Sequence, residues 1–144
     1  MAGRGCESIG NRVAVEHLRL ESLFAETLEE LHKGPEGCAA QDAFLQLRDQ
    51  LEAHVTREER LYFPALRSLR PAHRQALATL VAAHRGFRSR LAEIEASLAG
   101  RALESAARGL ESLSGLFAAH EAAEERMLHQ IEQELHAEAI PSAC

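Results

Sequence analysis

Tryptophan is absent from this 144-residue chain, tyrosine occurs once and phenylalanine five times. A fold built on aromatic and β-branched strands is therefore a poor fit. Cysteine is scarce too. Cys6, Cys38 and Cys144 are odd in number and widely spaced, giving neither a zinc-ligand pattern nor a disulfide framework. They read as incidental thiols of a reducing compartment. No run approaches the ~20 apolar residues of a membrane span, and Met1 to Gly10 holds no signal-like apolar stretch. Positive charge is in deficit, with 16 Lys and Arg against 22 Asp and Glu, a net charge of −6. That balance excludes nucleic acid and anionic lipid surfaces as natural partners. The expectation is a single cytoplasmic domain over residues 1–144, large enough to bury a core.

What is present in quantity is Ala, Leu, Glu and Arg, which favour helix. Breakers divide the chain. Gly34-Pro35-Glu36-Gly37 stops a first helix, Pro71 suits the first turn of a third, and Gly100 precedes a fourth. The predicted helices span about 8–33, 39–69, 71–99 and 102–137. Pro64 falls late in the second, where it kinks or shortens it. Each segment carries an apolar stripe with steps of three and four. In the second helix the stripe is Phe44, Leu47, Leu51, His54, Glu58, Leu61, Ala65 and Leu69. In the fourth it includes Leu110, Leu113, Phe117, His120, Glu124, Met127 and Ile131. Four such segments with short loops predict an all-α, antiparallel up-down-up-down four-helix bundle.

The polar members of these stripes carry the chemistry. His17 and His84 have apolar neighbours along their seams, while His54 and Glu58, like His120 and Glu124, stand one turn apart. A buried glutamate is costly unless a cation meets it. In a hairpin, residues equally far from the loop lie at the same height. The midpoint of His17 and His54 is the Gly34–Gly37 loop, that of His54 and His84 lies just before Pro71, and that of His84 and His120 lies beside Gly100. All four histidines are expected at one level. The halves also match, with His54-Val-Thr-Arg-Glu58-Glu59-Arg60 answering His120-Glu-Ala-Ala-Glu124-Glu125-Arg126. Two histidines and one carboxylate per half suit two metal ions bridged by carboxylates, whether iron, zinc or manganese. Polar core residues that merely fix bundle register are the plainer reading of any one of these histidines.

The ordered set of His17, His54-x-x-x-Glu58, His84 and His120-x-x-x-Glu124, with Glu59-Arg-Leu-Tyr-Phe63-Pro64 following the first motif, resembles the hemerythrin-like (HHE cation-binding) family from about Val13 to Leu135. The resemblance implies a hemerythrin-like bundle with two Fe ions held by His17, His54, Glu58, His84, His120 and Glu124. The implied ligand is a small diatomic, O₂ or NO, or peroxide. Oxygen-carrying members have a further histidine four residues after the one on the third helix, where this chain has Arg88. That departure turns the expectation from oxygen transport toward redox reaction or sensing, with iron storage or donation as the non-enzymatic alternative.

Glu21 and Tyr62 are further candidates. Glu21, four residues after His17, reads either as a ligand or as a solvated residue paired with a base such as Arg19. Tyr62, four after Glu58, reads as a flanking group or as packing. Glu59 and Glu125 turn away from the seam toward neighbouring arginines. His32, His73, His129 and His136 are expected at the surface.

Overall fold

The structure, a computed structural model, describes residues 8–34 and 39–139. Cys6, Cys38 and Cys144, and Pro35 to Gly37 of the first loop, lie outside the described residues. Four rods form the bundle. The first is α1 (Ile9–His32). The second runs through α2 (Ala39–Arg57), a π-helical stretch (Glu58–Tyr62) and α3 (Phe63–Leu69). A 3₁₀ turn (Pro71–His73) leads into α4 (Arg74–Ala99), and α5 (Leu103–Ala139) is the last. Helix α1 packs on α2 and α5, and α4 packs on the same two, so sequence neighbours are spatial neighbours. The expected all-α bundle is the one observed.

Local chemistry sets the ends. Ser8 accepts the Asn11 N–H at 3.0 Å and caps α1. Gly10 donates its N–H to Glu132 Oε1 at 2.9 Å, and a Cβ there would stand 2.5 Å from that oxygen. This glycine lets the first turn of α1 lean on α5. Gly34 takes φ +101° as α1 ends. At the end of α4 the left-handed residue is Arg101 (φ 57°), one position after the glycine. Ala102 N–H bonds to Ser97 O and Arg101 N–H to Leu98 O, closing the cap. Gly109, a breaker by composition, admits Ile94 of α4, whose Cγ1 would meet an added Cβ at 3.0 Å.

The second rod departs from its expected stripe. Leu61, Ala65 and Leu69 face solvent, with Leu61 62% exposed. Tyr62, Phe63 and Leu66 are buried instead. Pro64 has no N–H to give to the Arg60 carbonyl and its ring crowds that carbonyl. The ladder opens just before it, so that Phe63 N–H reaches back five residues to Glu58 O. One residue is in effect inserted, and the buried face moves on by one position.

Two apolar clusters fill the bundle. The larger, at the end holding the α1–α2 and α4–α5 connections, includes Phe24, Phe44, Phe87, Leu110 and Phe117. The smaller, at the other end, includes Val13, Tyr62, Phe63, Leu77, Leu128 and Ile131. Each fully buried Leu or Phe contributes roughly 1.5–3 kcal/mol relative to an exposed one. Between the clusters lies a layer of buried polar side chains. No helix among the described residues is long and apolar enough to cross a membrane.

Candidate metal centre

His17, His54, Glu58, His84, His120 and Glu124, from all four rods, meet in that layer, none more than 8% exposed. Equal distance from the loops brings the histidines to one height, and the i,i+4 spacing stacks each glutamate beneath its histidine. His17 and His54 sit with ring centroids 5.0 Å apart, and His84 and His120 at 5.4 Å. The carboxylates lie between the two pairs. Glu124 Oε1 is 3.0 Å from His17 Nε2, and its Oε2 is 3.3 Å from His120 Nε2. Glu58 Oε2 is 3.3 Å from His54 Nε2, and its Oε1 is 3.1 Å from His84 Nε2. Each carboxylate thus turns one oxygen to each histidine pair.

The outer imidazole nitrogens fix the protons. His17 Nδ1 is 2.7 Å from Glu125 Oε2, His54 Nδ1 2.7 Å from Glu16 Oε1, and His84 Nδ1 2.7 Å from Glu59 Oε2. A carboxylate at that distance takes the N–H, which leaves the Nε2 lone pair pointing into the layer. Lone pairs of imidazole then face lone pairs of carboxylate. Accordingly His17 Nε2, His54 Nε2, His84 Nε2, His120 Nε2 and all four oxygens of Glu58 and Glu124 are buried without a hydrogen-bond partner. Native interiors hold few such atoms. Gathered in one place and all able to donate electron pairs, they fit a pair of cations. His17, His54, Glu58 and Glu124 bring one donor atom each within 4.8 Å of one another, and so do Glu58, His84, His120 and Glu124. Both glutamates belong to both groups.

Electrostatics agree. Burial pushes Glu58 up to about 9, and the nearby Glu124 adds to that push. Burial also opposes ionisation of Glu124, but in the metal-free chain protons shared with the facing His120 and His17 rings hold it well below the usual carboxylate range. Without a cation, the pair keeps one proton between them. Glu16 is brought down to about 2, against the cost of burial, by bonds from His54, Arg57 and Tyr62. Glu59 is likewise held low, against burial, by Arg88 and His84.

Several residues stand differently from their sequence reading. Glu59 does pair with Arg88, at 3.0 Å, but its main contact is His84. Glu125 bonds His17 and has no arginine partner among the described residues. Glu16 escaped the sequence reading, although its place next to His17 was a usable signal once a second ring of carboxylates was sought. Glu121, only 6% exposed, was also missed, and burial pushes it up to about 7. Tyr62 directs its hydroxyl to Glu16 Oε2 at 2.8 Å, behind His54. Glu21 is exposed and outside both donor groups, and among the described residues it has no basic partner. His32, His129 and His136 are exposed as expected, while His73 is half-buried and 2.9 Å from Glu134. Arg88, at the position of the missing histidine, forks between Glu52 and Glu59.

Comparisons with curated proteins and with solved structures return no match. A family model does match, across residues 9–132, that of the hemerythrin HHE cation-binding domain. The match covers every residue of the buried layer and most of the bundle, and the chain belongs to the hemerythrin HHE cation-binding family.

Proposed function

We propose that this is a non-haem di-iron protein that binds or reduces O₂, peroxide or NO, working in the cytoplasm. The observation that carries the reading is the layer of eight orphaned donor atoms, divided into two equivalent groups that share both glutamates. His17 and His54 would hold one ion, His84 and His120 the other, with Glu58 and Glu124 bridging. Imidazole and carboxylate also serve zinc and manganese, which remain the competing ions. A ferrous pair would supply electrons and open coordination positions for a small ligand.

The chain's own residues do the rest. Glu16, Glu59 and Glu125 hold three imidazoles in one tautomer and raise their basicity. Phe117 packs edge-on against His17 and His54, and Phe87 against His120, at centroid distances of 4.9 to 6.2 Å. These rings keep the face toward the larger core dry, which suits an apolar diatomic. Arg88 is committed to two carboxylates, so each histidine pair stands without a fifth imidazole. Two equal, incompletely filled donor sets favour reaction or sensing over protected carriage of oxygen.

The test is elemental analysis of chain purified without a metal-binding tag, followed by anaerobic Fe²⁺ loading. About two irons per chain are expected. Less than about a tenth of an equivalent of any metal after loading would sink the reading, since a preformed donor set of this kind binds tightly. With iron in place, catalytic consumption of peroxide or O₂ by a reductant marks an enzyme. A stoichiometric spectral change alone marks a sensor or an iron store.

A further inference from the structure

Behind His17, between α1 and α5, lies a solvent-facing pocket of about 410 Å³. Its polar lining is His17, Glu21, Glu121 and Glu125. His17 is the one residue that lines this pocket and also belongs to the buried layer. We propose that Glu21, Glu121 and Glu125 form a divalent-cation vestibule, a capture site through which metal reaches the buried centre past the His17 ring. The inference rests on reading the layer as a metal centre.

Glu121 is the central observation. Its side chain is more than nine-tenths buried, lines the pocket and accepts no hydrogen bond among the described residues. The nearest polar nitrogen is His17 Nδ1 at 3.3 Å, but its N–H is committed to Glu125 at 2.7 Å. A surface carboxylate without a partner is solvated and unremarkable. Glu121 keeps only a narrow contact with water through the pocket and has no committed donor, so a cation arriving there meets a carboxylate short of partners. His17, Glu121 and Glu125 also bring donor atoms within 4.8 Å of one another. Oxygen donors that keep access to water take divalent cations readily and release them readily.

Charge singles out this side of the layer. The carboxylate behind His54 is neutralised by Arg57 at 2.9 Å, and that behind His84 by Arg88 at 3.0 Å. No lysine or arginine lines the pocket, and none among the described residues pairs with Glu21, Glu121 or Glu125. Three carboxylates in one concave place concentrate cations from solution. The route inward is short, because His17 shows Nδ1 to the vestibule and Nε2 to Glu124 at 3.0 Å. Opening the His17–Glu125 hydrogen bond frees that ring to swing, whereas His54 and His84 are braced by arginine-backed glutamates.

The experiment mixes metal-free chain anaerobically with limiting Fe²⁺, quenches with a chelator at intervals and counts iron retained per chain. The variant Glu21→Gln/Glu121→Gln is expected to load at least about ten-fold more slowly and to reach the same final iron content. Glu21→Lys, on an exposed residue that leaves the core intact, is expected to slow loading similarly. Glu93→Gln/Glu104→Gln removes the same charge elsewhere and should stay within about two-fold of the unaltered chain. If both vestibule variants load within two-fold of the unaltered chain, the vestibule is overturned and the centre stands. A double variant that folds but never fills would make Glu121 a holder rather than a port, which also overturns it. If the unaltered chain retains no iron, the metal-centre reading fails and takes the port with it.

Discussion

The string His-x-x-x-Glu-Glu-Arg occurs at His54–Arg60 and again at His120–Arg126, and the two copies end in different surroundings. Toward the layer they agree. Both first glutamates are fully buried, and both straddle the two histidine pairs. One residue on, they diverge, because Glu59 accepts from both His84 and Arg88, whereas Glu125 has His17 and, among the described residues, no arginine. Beyond that, the first copy opens into the π-helical stretch and the second continues as regular α5. The motif determines what faces the centre. Charge balance and register are determined by what packs behind and follows it.

The largest effect should come where the copies agree. Glu58→Ala and Glu124→Ala are each expected to lower metal content from about two ions per chain to well under one, because each glutamate serves both donor groups. His17→Ala serves one group and should leave about one ion, read by elemental analysis. If either glutamate variant kept a full ion, the copies would be separate mononuclear sites.

Next comes pH, where the buried glutamates part company in the metal-free chain. Glu58, raised to about 9, keeps a proton that the unfolded chain releases near 4.5. Stability therefore falls as pH rises from 4.5 toward 9. Glu121, raised to about 7, acts in the same direction over 4.5 to 7. His17 is raised too, because Glu124 and Glu125 outweigh its burial, and its contribution is lost above 6.5. Glu124 and Glu16 are depressed, so their contributions are complete by pH 4.5 and do not oppose the fall. Denaturation midpoints should drop across this window without metal and change much less with it. Metal uptake at pH 7 should release roughly one to two protons per chain, measured in weak buffer with an indicator dye.

The outer carboxylates should show a graded difference. Glu59→Gln and Glu125→Gln each weaken the support of one imidazole, a change of about 10–100-fold in metal affinity. Glu59→Gln should lie at the upper end, because it also leaves Arg88 with Glu52 alone among the described carboxylates and a positive charge behind the centre. Glu125→Gln removes a charge that no arginine among the described residues balances and should lie near the lower end. Competition with a chromophoric chelator reads both, and equal losses would mean that the Arg88 charge is screened from the layer.

Much of this was legible in the sequence because it rests on helical spacing. The four rods, the common height of His17, His54, His84 and His120, and the inward turn of Glu58 and Glu124 all follow from counting residues between breakers. What escaped depends on partners distant in sequence. Glu16 is set one step from the seam of α1, and only the approach of α2 turns it into the acceptor for His54. Glu121 reads as a surface residue on α5 until α1 closes over it. Pro64 announced a disturbance, but not that the ladder would open upstream and carry the buried face forward by one residue.

That shift makes the smallest and most local test. Leu61 and Met127 both stand three residues after the buried glutamate of their copy. In an unbroken helix both would share the buried face. Met127 is partly buried against the smaller core, whereas Leu61 is 62% exposed because the π-helical stretch has turned it outward. Leu61→Glu should change stability by no more than about 0.5 kcal/mol, as at other surface positions. Met127→Glu places a carboxylate against apolar side chains and should cost about 1–2 kcal/mol. Urea denaturation of the two variants measures the difference. Equal, substantial losses would mean that the second rod keeps a continuous α register through Pro64. The burial of Tyr62, and with it the hydroxyl that braces Glu16 behind His54, would then need another cause.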